Sequence, residues 1–225
     1  MCRGARIANH GGSEYDPLRN AIDNYIKAHS TNGDGLIGLR TAFGHGDILY
    51  DMIDWLSRSF EEADSGGIDY VGGPDAGAGV LCGALIMRLA PGHDPRIRRK
   101  AGHIKIMKYN DEKDVPEGFE SQRYPIGHLG TGEVQEHKVL AIQRGIIREP
   151  PKRVILIDDW AETYKQLSAC ADLIKSQGGN VVGAATVVSI ADGRADFEER
   201  HKGARLLSLL DYERLPDRSL RRVEV

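Results

Sequence analysis

The chain has 225 residues, of which 40% are apolar and 28% are charged, a composition ordinary for one compact globular domain with a small appendage. Its formal net charge is −3 and its Lys and Arg residues are spread along the chain, so electrostatics gives no reason to expect a nucleic acid or a membrane as partner. Three cysteines without zinc or disulfide spacing, the lack of an apolar run near the ~18 residues of a membrane span, and an N-terminus without a secretory signal together predict a cytoplasmic protein.

The chain divides into a short N-terminal arm and a single domain. Residues 1–16 are rich in glycine and polar side chains and are predicted to be flexible, whereas residues 17–225 are predicted to form one domain. Apolar residues at helical spacing predict a helix from Pro17, and a polar turn then leads into a predicted short strand, Leu36–Leu39. A second helix is predicted to begin at Asp47, a good capping residue.

Two stretches combine a strand, a turn and a helix, the pattern that builds parallel sheets. The first comprises the strand Ile68–Val71, the glycine-rich turn Gly72–Gly79 and the apolar helix Val80–Leu89. The second comprises the apolar strand Val154–Ile157, a loop and helix, and the strand Val181–Val188. The predicted architecture is therefore α/β, with a central, mostly parallel sheet flanked by helices. Ligands in such sheets lie beyond the carboxyl ends of the strands, which makes both turns candidate sites.

The remaining segments predict two more strands and a closing unit. Alternating apolar residues in His103–Tyr109 predict a strand, and Lys138–Ile142 predicts a returning one. Residues 110–137 between them begin with a polar stretch and are predicted to form a flexible loop. At the end of the chain, residues 196–205 are predicted to be helical and Leu206–Leu210 to form the last strand.

Two adjacent carboxylates, Asp158 and Asp159, follow the most apolar strand. Because burying an unpaired carboxylate costs several kcal/mol, the pair is expected to face a cleft. The loop Trp160–Gln166 then opens a helix, whose free backbone N–H groups and positive dipole end favour a phosphate. Thr163 adds a side-chain donor and Lys165 adds positive charge. A sugar phosphate fits this combination, with the carboxylates accepting from ribose hydroxyls and the loop holding the 5′-phosphate.

The stretch Val154–Gln166 resembles the signature of the type I phosphoribosyltransferases, in which two acidic residues after an apolar strand precede three variable positions and Thr-Gly-Gly/Lys-Thr. The chain departs from it at Tyr164, where the family has Gly, and at Gln166, where it has Thr or Ser. The acidic pocket of a receiver domain is the alternative, but receivers begin with their acidic strand. Only about 70 residues follow it here, fewer than the roughly 100 of a typical domain. The resemblance covers about residues 36–212 and is closest to adenine-type members.

The resemblance implies the fold, the reaction and the ligands. The fold implied is the type I phosphoribosyltransferase fold with a small hood, in which residues 110–137 act as a lid that excludes water. The reaction implied is transfer of the phosphoribosyl group from phosphoribosyl pyrophosphate to a nitrogenous base, purine or purine-like, with release of pyrophosphate. Mg²⁺ is implied as cofactor, bound mainly through the substrate with Asp158 and Asp159 as further ligands. A homodimer is implied as well.

Site residues are implied at two places in the second half of the signature and in the glycine-rich turn. The residues implied to bind phosphoribosyl pyrophosphate are Asp158, Asp159, Ala161, Glu162, Thr163, Tyr164, Lys165 and Gln166. Glu162 stands where 6-oxopurine members carry the acidic residue that handles the proton on the purine N7, so it is the candidate general base, with Asp158 and Asp159 supporting the positive charge that develops on the ring. The residues implied to bind pyrophosphate are Gly73, Pro74, Asp75, Ala76, Gly77, Arg99 and Lys100.

Bland alternatives remain for parts of this assignment. The glycine-rich turn lacks the Arg usual in adenine-type members, and a tight βα turn explains it equally well. The basic stretch that holds Arg99 and Lys100 is equally well explained as a solvated surface run. Tyr164 and Gln166 favour a rival function, a non-catalytic relative that senses phosphoribosyl pyrophosphate or a nucleotide.

Overall fold

The computed structural model describes most of the chain as helices and strands around one sheet. The described residues are 13–29, 35–61, 67–74, 77–89, 101–126, 136–149, 151–190, 193–216 and 219–223. The helices are α1 (Asp16–His29), α2 (Gly35–Ala42), α3 (Gly46–Glu61), α4 (Gly77–Leu89), α5 (Lys165–Ser176) and α6 (Arg194–Arg200). The strands are β1 (Tyr70–Pro74), β2 (Gly102–Tyr109), β3 (Phe119–Ile126), β4 (Glu136–Gln143), β5 (Lys152–Ala161), β6 (Gly179–Ile190), β7 (Arg205–Arg214) and β8 (Leu220–Arg222). None of the helices in these ranges has the length and apolar character needed to cross a membrane.

One mixed sheet places both candidate turns at the same edge. Its strand order is β3-β4-β2-β1-β5-β6-β7-β8. The strands from β2 to β7 in this order pair in parallel, while β3, β4 and β8 add antiparallel pairs at the two ends. From β1 the chain crosses to β2 on one side, and from β5 it crosses to β6 on the other. The two crossovers therefore diverge between β1 and β5, the switch point where α/β sheets bind ligands, and the predicted mostly parallel sheet is confirmed.

Helices cover the sheet on both faces through two separate hydrophobic clusters. Trp55 and Leu81 bring α3 and α4 onto one face, and Leu167 and Phe197 bring α5 and α6 onto the other. Each large apolar side chain buried in this way contributes about 1.5–3 kcal/mol relative to full exposure. Strand β5 feeds both clusters in alternation, with Ile155 and Ile157 on the α4 side and Val154 and Leu156 on the α5 side. Continued alternation directs Asp159 toward α4 and Asp158 toward α5.

Helices α1 and α2 pack against each other at the carboxyl side of the sheet, and α1 is fixed by a buried polar contact. The Asp23 carboxylate, 5% exposed, accepts hydrogen bonds from the Tyr212 hydroxyl at 2.5 Å and from Lys27 Nζ at 2.6 Å. Tyr212 lies on β7, so this contact ties the N-terminal helix to the far half of the sheet. The tie holds the α1–α2 pair over the core that carries β5.

The structure differs from the sequence prediction in two segments. The strand predicted at Leu36–Leu39 is wrong, because these residues lie within α2; four consecutive apolar residues carry no period that separates helix from strand. The loop predicted at residues 110–137 contains β3, which pairs with β4 over its whole length. Strand β3 is polar because it is the sheet's outer strand, and Pro125 near its end is tolerated there since an edge strand needs fewer ladder donors. Residues 127–135 of this predicted loop lie outside the described residues.

Candidate functional site

The acidic pair lies inside β5 rather than in the loop that follows it. Asp158 is 4% exposed and Asp159 is 5% exposed. The backbone N–H of Asp159 donates to Asp158 Oδ1 at 2.9 Å. Burial, together with the neighbouring Asp159 carboxylate, raises the pKa of Asp158 well above that of an ordinary aspartate. A carboxyl group in this position gains from any ligand hydroxyl or cation that replaces lost hydration.

Tyr164 has the backbone conformation that glycine would adopt at this point of the loop. Its φ is 57° and its ψ is 1°, in the left-handed region that costs a residue with a side chain roughly 1–2 kcal/mol. The side chain compensates, since it is 2% exposed and its hydroxyl donates to Ser189 Oγ at 2.6 Å. Its ring also lies 5.9 Å from that of Phe197. The Tyr164 side chain is thus directed into the core, and the loop keeps a glycine-like turn without glycine.

The same loop rests directly on the backbone that precedes α6. A Cβ atom at Gly193 would overlap the carbonyl group of Thr163, so the two segments are packed without space for a side chain. Thr163 is half-buried and Lys165 is exposed. The turn before α5 is therefore supported from below by Tyr164 and from the side by Gly193, while Lys165 remains accessible.

Glu162 is held by an arginine from the end of β7. Its carboxylate accepts a hydrogen bond from the Arg214 guanidinium, with the Glu162 side chain 38% exposed. This pair fixes the direction of the Glu162 carboxylate at the rim of a pocket that Glu162 itself lines. Sequence reasoning missed Arg214, which stands 52 residues away and carries no local signal.

A pocket of about 190 Å³ lies on the α5 side of β5. Its walls include Lys108, Tyr124, Asp158, Trp160, Ala161, Glu162, Thr163, Tyr164 and Gln166. Pockets that enclose a whole small molecule measure about 300–1,000 Å³, so this cavity has the size of one subsite within a larger ligand path. The structure therefore brings together in one cavity the predicted residues Asp158 and Ala161–Tyr164 with Gln166, whereas Asp159 faces the other side and Lys165 points to solvent.

Two pocket residues that sequence reasoning missed come from β2 and β3. The Tyr124 hydroxyl donates to Gln166 Oε1 at 3.0 Å, and Gln166 Nε2 donates to Asp158 Oδ2 at 3.3 Å, which links the β3–β4 hairpin to the acidic pair. Lys108 Nζ lies 5.9 Å from the centre of the Tyr124 ring, within cation–π range. Partial burial lowers the pKa of Lys108, and Asp158 partly opposes this shift. Lys108 is the cation that faces Asp158 across the pocket.

The glycine-rich turn contacts the acidic pair on the opposite, α4 side. A Cβ atom at Gly73 would overlap the carbonyl oxygen of Ile157, and one at Gly77 would overlap the Asp159 carboxylate. Pro74 ends β1 between them. The other residues predicted to bind pyrophosphate, Asp75, Ala76, Arg99 and Lys100, lie outside the described residues. The two turns thus form one continuous edge, joined at β5.

Comparisons with known proteins place this geometry in context. No protein-family model matches the chain. The chain is 29% identical to the adenine phosphoribosyltransferase of Methylorubrum extorquens strain PA1 over 197 residues, which is 83% of this chain and 97% of that protein. It is 26% identical to the adenine phosphoribosyltransferase of Symbiobacterium thermophilum over 176 residues, 77% of this chain and 87% of that protein.

A solved structure shows the same architecture. The Saccharomyces cerevisiae adenine phosphoribosyltransferase superposes with a TM-score of 0.59 at 18% identity, covering 75% of this chain and 82% of that one. At this identity the match establishes the fold, and the two relatives above supply the similarity in sequence. Both agree with the resemblance inferred from Val154–Gln166. The chain has the type I phosphoribosyltransferase fold and is similar to the adenine phosphoribosyltransferases.

Proposed function

We propose that the protein transfers the phosphoribosyl group of phosphoribosyl pyrophosphate to a purine or purine-like base and releases pyrophosphate. The observation that carries this proposal is the β5 edge, where the buried acidic pair runs directly into the left-handed turn at Tyr164 and the start of α5. The similarity to adenine phosphoribosyltransferases spans nearly the full length of those relatives and supports it. The yeast structure was solved with adenine, which supports a base of this class.

The sugar phosphate is assigned to the pocket on the α5 side. Thr163 and the backbone N–H groups of residues 161–166 hold the 5′-phosphate at the start of α5, where the helix dipole favours an anion. Asp158 accepts from a ribose hydroxyl and, together with Asp159, favours positive charge on the ring as its bond to pyrophosphate breaks. Lys108 faces this pocket and adds the positive charge that a phosphate needs.

Glu162 is assigned to the proton of the base. When a ring nitrogen bonds to C1 of the ribose and pyrophosphate leaves, the base must lose a proton to remain neutral. Glu162 lines the pocket, and Arg214 fixes the direction of its carboxylate, so it is placed to accept that proton. Trp160 lines the same pocket and offers an aromatic face for a base or ribose.

Magnesium fits this site when it is bound mainly through the substrate. Among the described residues, no group of three or more His, Cys, Asp or Glu side chains could hold a metal ion without a ligand. Mg²⁺ commonly binds through one or two carboxylates together with substrate phosphates, and Asp158 and Asp159 can supply those carboxylates. When bound, the ion would neutralise charge on the leaving pyrophosphate. Residues 110–137 are assigned as the lid, with Tyr124 as the part of it that already contacts the site.

A pyrophosphate-release assay tests the proposal. The protein is incubated with phosphoribosyl pyrophosphate, Mg²⁺ and one base at a time from adenine, hypoxanthine, guanine, uracil and orotate. Release with a purine and not with the pyrimidines is expected. Tight binding of phosphoribosyl pyrophosphate without release for any base would instead identify a non-catalytic sensor and contradict the proposal.

A matched pair of variants tests the role of Glu162. Glu162→Gln removes the proton acceptor and is expected to lower kcat by roughly 10²–10⁴-fold with little change in KM for phosphoribosyl pyrophosphate. Glu213→Gln is the control, since Glu213 also pairs with an arginine, Arg221, at a similar exposure on β7. Equal activity of the two variants would remove Glu162 from the mechanism.

A further inference from the structure

Arg40 of α2 reaches the acidic pair from a part of the chain that the phosphoribosyl-binding signature does not include. Its Nε donates to Asp159 Oδ2 at 3.2 Å across a separation of 119 residues. A guanidinium has five N–H donors, and the four on its two terminal nitrogens have no hydrogen-bond partner among the described residues. The Arg40 side chain is 46% exposed, whereas that of Asp159 is 7% exposed. Arg40 is therefore anchored at one edge and open at the others.

The open edge of Arg40 lies where the glycine-rich turn meets β5. The Asp159 carboxylate that Arg40 contacts is the group that a Cβ atom at Gly77 would overlap. Arg40 and Gly77 therefore flank one carboxylate on the α4 side of the sheet. Lys108 faces Asp158 on the α5 side, so the two cations lie on opposite faces of β5.

The charge balance at this end of the site requires a cation. The described residues of the turn, 72–74 and 77–79, are glycine, proline and alanine, which carry no charge. The adjacent side chains Asp158 and Asp159 are acidic, yet the proposed substrate carries its pyrophosphate on the ribose carbon next to these carboxylates. A planar guanidinium binds phosphate oxygens through two parallel N–H donors, and one that is already oriented by a carboxylate loses less side-chain entropy on binding.

We propose that Arg40 binds the pyrophosphate group of phosphoribosyl pyrophosphate through its terminal nitrogens while Asp159 holds its Nε. This inference rests on the proposed function and adds a ligand-binding residue to it. A purely structural ion pair between such groups is worth about 0–1 kcal/mol of stability and makes no distinction between ligands. A pyrophosphate-binding role instead separates ligands that carry the pyrophosphate from those that lack it.

The experiment compares Arg40→Gln with wild type for three ligands in the presence of Mg²⁺. KM is measured for phosphoribosyl pyrophosphate, the inhibition constant for inorganic pyrophosphate, and Kd for ribose 5-phosphate by calorimetry. Losing hydrogen bonds to a charged group is expected to weaken the first two by roughly 10- to 100-fold. Ribose 5-phosphate, which has no pyrophosphate, is expected to bind within about twofold of wild type. Arg40→Lys keeps the charge and loses the two parallel donors, so an intermediate loss is expected.

Arg58→Gln is the matched control. Arg58 also donates through Nε to an aspartate, Asp54 Oδ2 at 2.9 Å, with 53% of its side chain exposed, but it lies on α3 away from the pocket. This control is expected to leave all three constants unchanged. Unchanged phosphoribosyl pyrophosphate and pyrophosphate constants in Arg40→Gln would overturn the inference, as would tighter binding or an equal loss for ribose 5-phosphate. In each case the wild type still releases pyrophosphate, so the failure is distinct from one in which the wild type binds no phosphoribosyl pyrophosphate.

Discussion

The two turns at the carboxyl edge of the sheet solve the same geometric problem in opposite ways. The turn after β1 has small residues on all sides, and Gly73 and Gly77 allow the backbone to touch β5. The loop after β5 makes its sharpest bend at Tyr164, a large residue in a left-handed conformation. Glycine meets the requirement of close approach in the first turn. In the second, a buried side chain offsets the strain that glycine would have avoided.

This difference shows that a signature glycine can stand for either of two constraints. Where the constraint is space, as at Gly73, no side chain is tolerated because the obstacle is the backbone of Ile157. Where the constraint is conformation, as at Tyr164, a side chain is tolerated if burial and a hydrogen bond offset a cost of roughly 1–2 kcal/mol. The two cases predict different responses to the same kind of substitution.

Truncation of Tyr164 is expected to have the largest effect on stability. Tyr164→Ala removes the buried ring and keeps the left-handed strain, which is expected to cost about 3–5 kcal/mol in the free energy of unfolding. Tyr164→Gly removes the same ring but relieves the strain, so it is expected to be about 1 kcal/mol less destabilising than alanine. Urea unfolding measures both. Alanine equal to or better than glycine would show that the left-handed turn is not retained.

A methyl group at Gly73 is expected to be the next most damaging change. Gly73→Ala forces its Cβ against the Ile157 carbonyl, a backbone group that cannot rotate away, with an expected cost of about 1–3 kcal/mol. Gly83→Ala on α4 is the control, since its Cβ would meet nothing within 4 Å. A helical Gly→Ala change there is expected to stabilise by about 0.5–1 kcal/mol. Similar urea midpoints for the two variants would contradict the spatial constraint.

The two turns also differ in charge, which predicts a pH dependence. Burial raises the pKa of Asp158, so the stability this group contributes is complete below its unfolded pKa and is lost as the pH rises through the folded value. Asp158→Asn is therefore expected to gain stability relative to wild type as the pH rises, on the order of 0.5–2 kcal/mol near neutrality. Urea unfolding at pH 4.5 and pH 8 measures this, with exposed Asp196→Asn as control. A gain that is the same at both pH values would refute the assignment.

Loss of the Tyr164 hydroxyl is expected to have the smallest effect. Tyr164→Phe keeps the ring and removes the 2.6 Å hydrogen bond to Ser189, at an expected cost of about 1 kcal/mol. Ser189→Ala removes the other partner. The double variant is expected to cost less than the sum of the single ones, because both remove one interaction. Strict additivity in a double-mutant cycle would mean that the hydrogen bond does not brace the loop.

Sequence alone predicted the elements whose pattern is local. The apolar strand before Asp158, the helix that ends at Gly178 with a φ of 79°, and both crossover units carry their signals in consecutive residues. The acidic pair was predictable as a site because two carboxylates after an apolar strand have few structural explanations. The signature resemblance at Val154–Gln166 was sufficient for the fold.

The parts that sequence missed depend on contacts between distant residues. Tyr124 bonds to Gln166 across 42 residues and Arg40 to Asp159 across 119, and neither has a neighbour in sequence that marks it. Strand β3 was hidden because an edge strand buries little and its polar residues resemble a loop. The run Leu36–Leu39 was misassigned for the opposite reason, since a short apolar segment suits a helix and a strand equally well.

The positions of the two tryptophans have a spectroscopic consequence. The chain contains two Trp residues, one in each functional layer of the molecule. Trp55 is 1% exposed in the α3–α4 cluster, and Trp160 lines the pocket beside the acidic pair. Indole emission responds to the polarity around the ring, so a Trp55→Phe protein would emit from the pocket alone and a Trp160→Phe protein from the core alone. The molecule thus contains its own pair of optical probes, one for occupancy and one for folding.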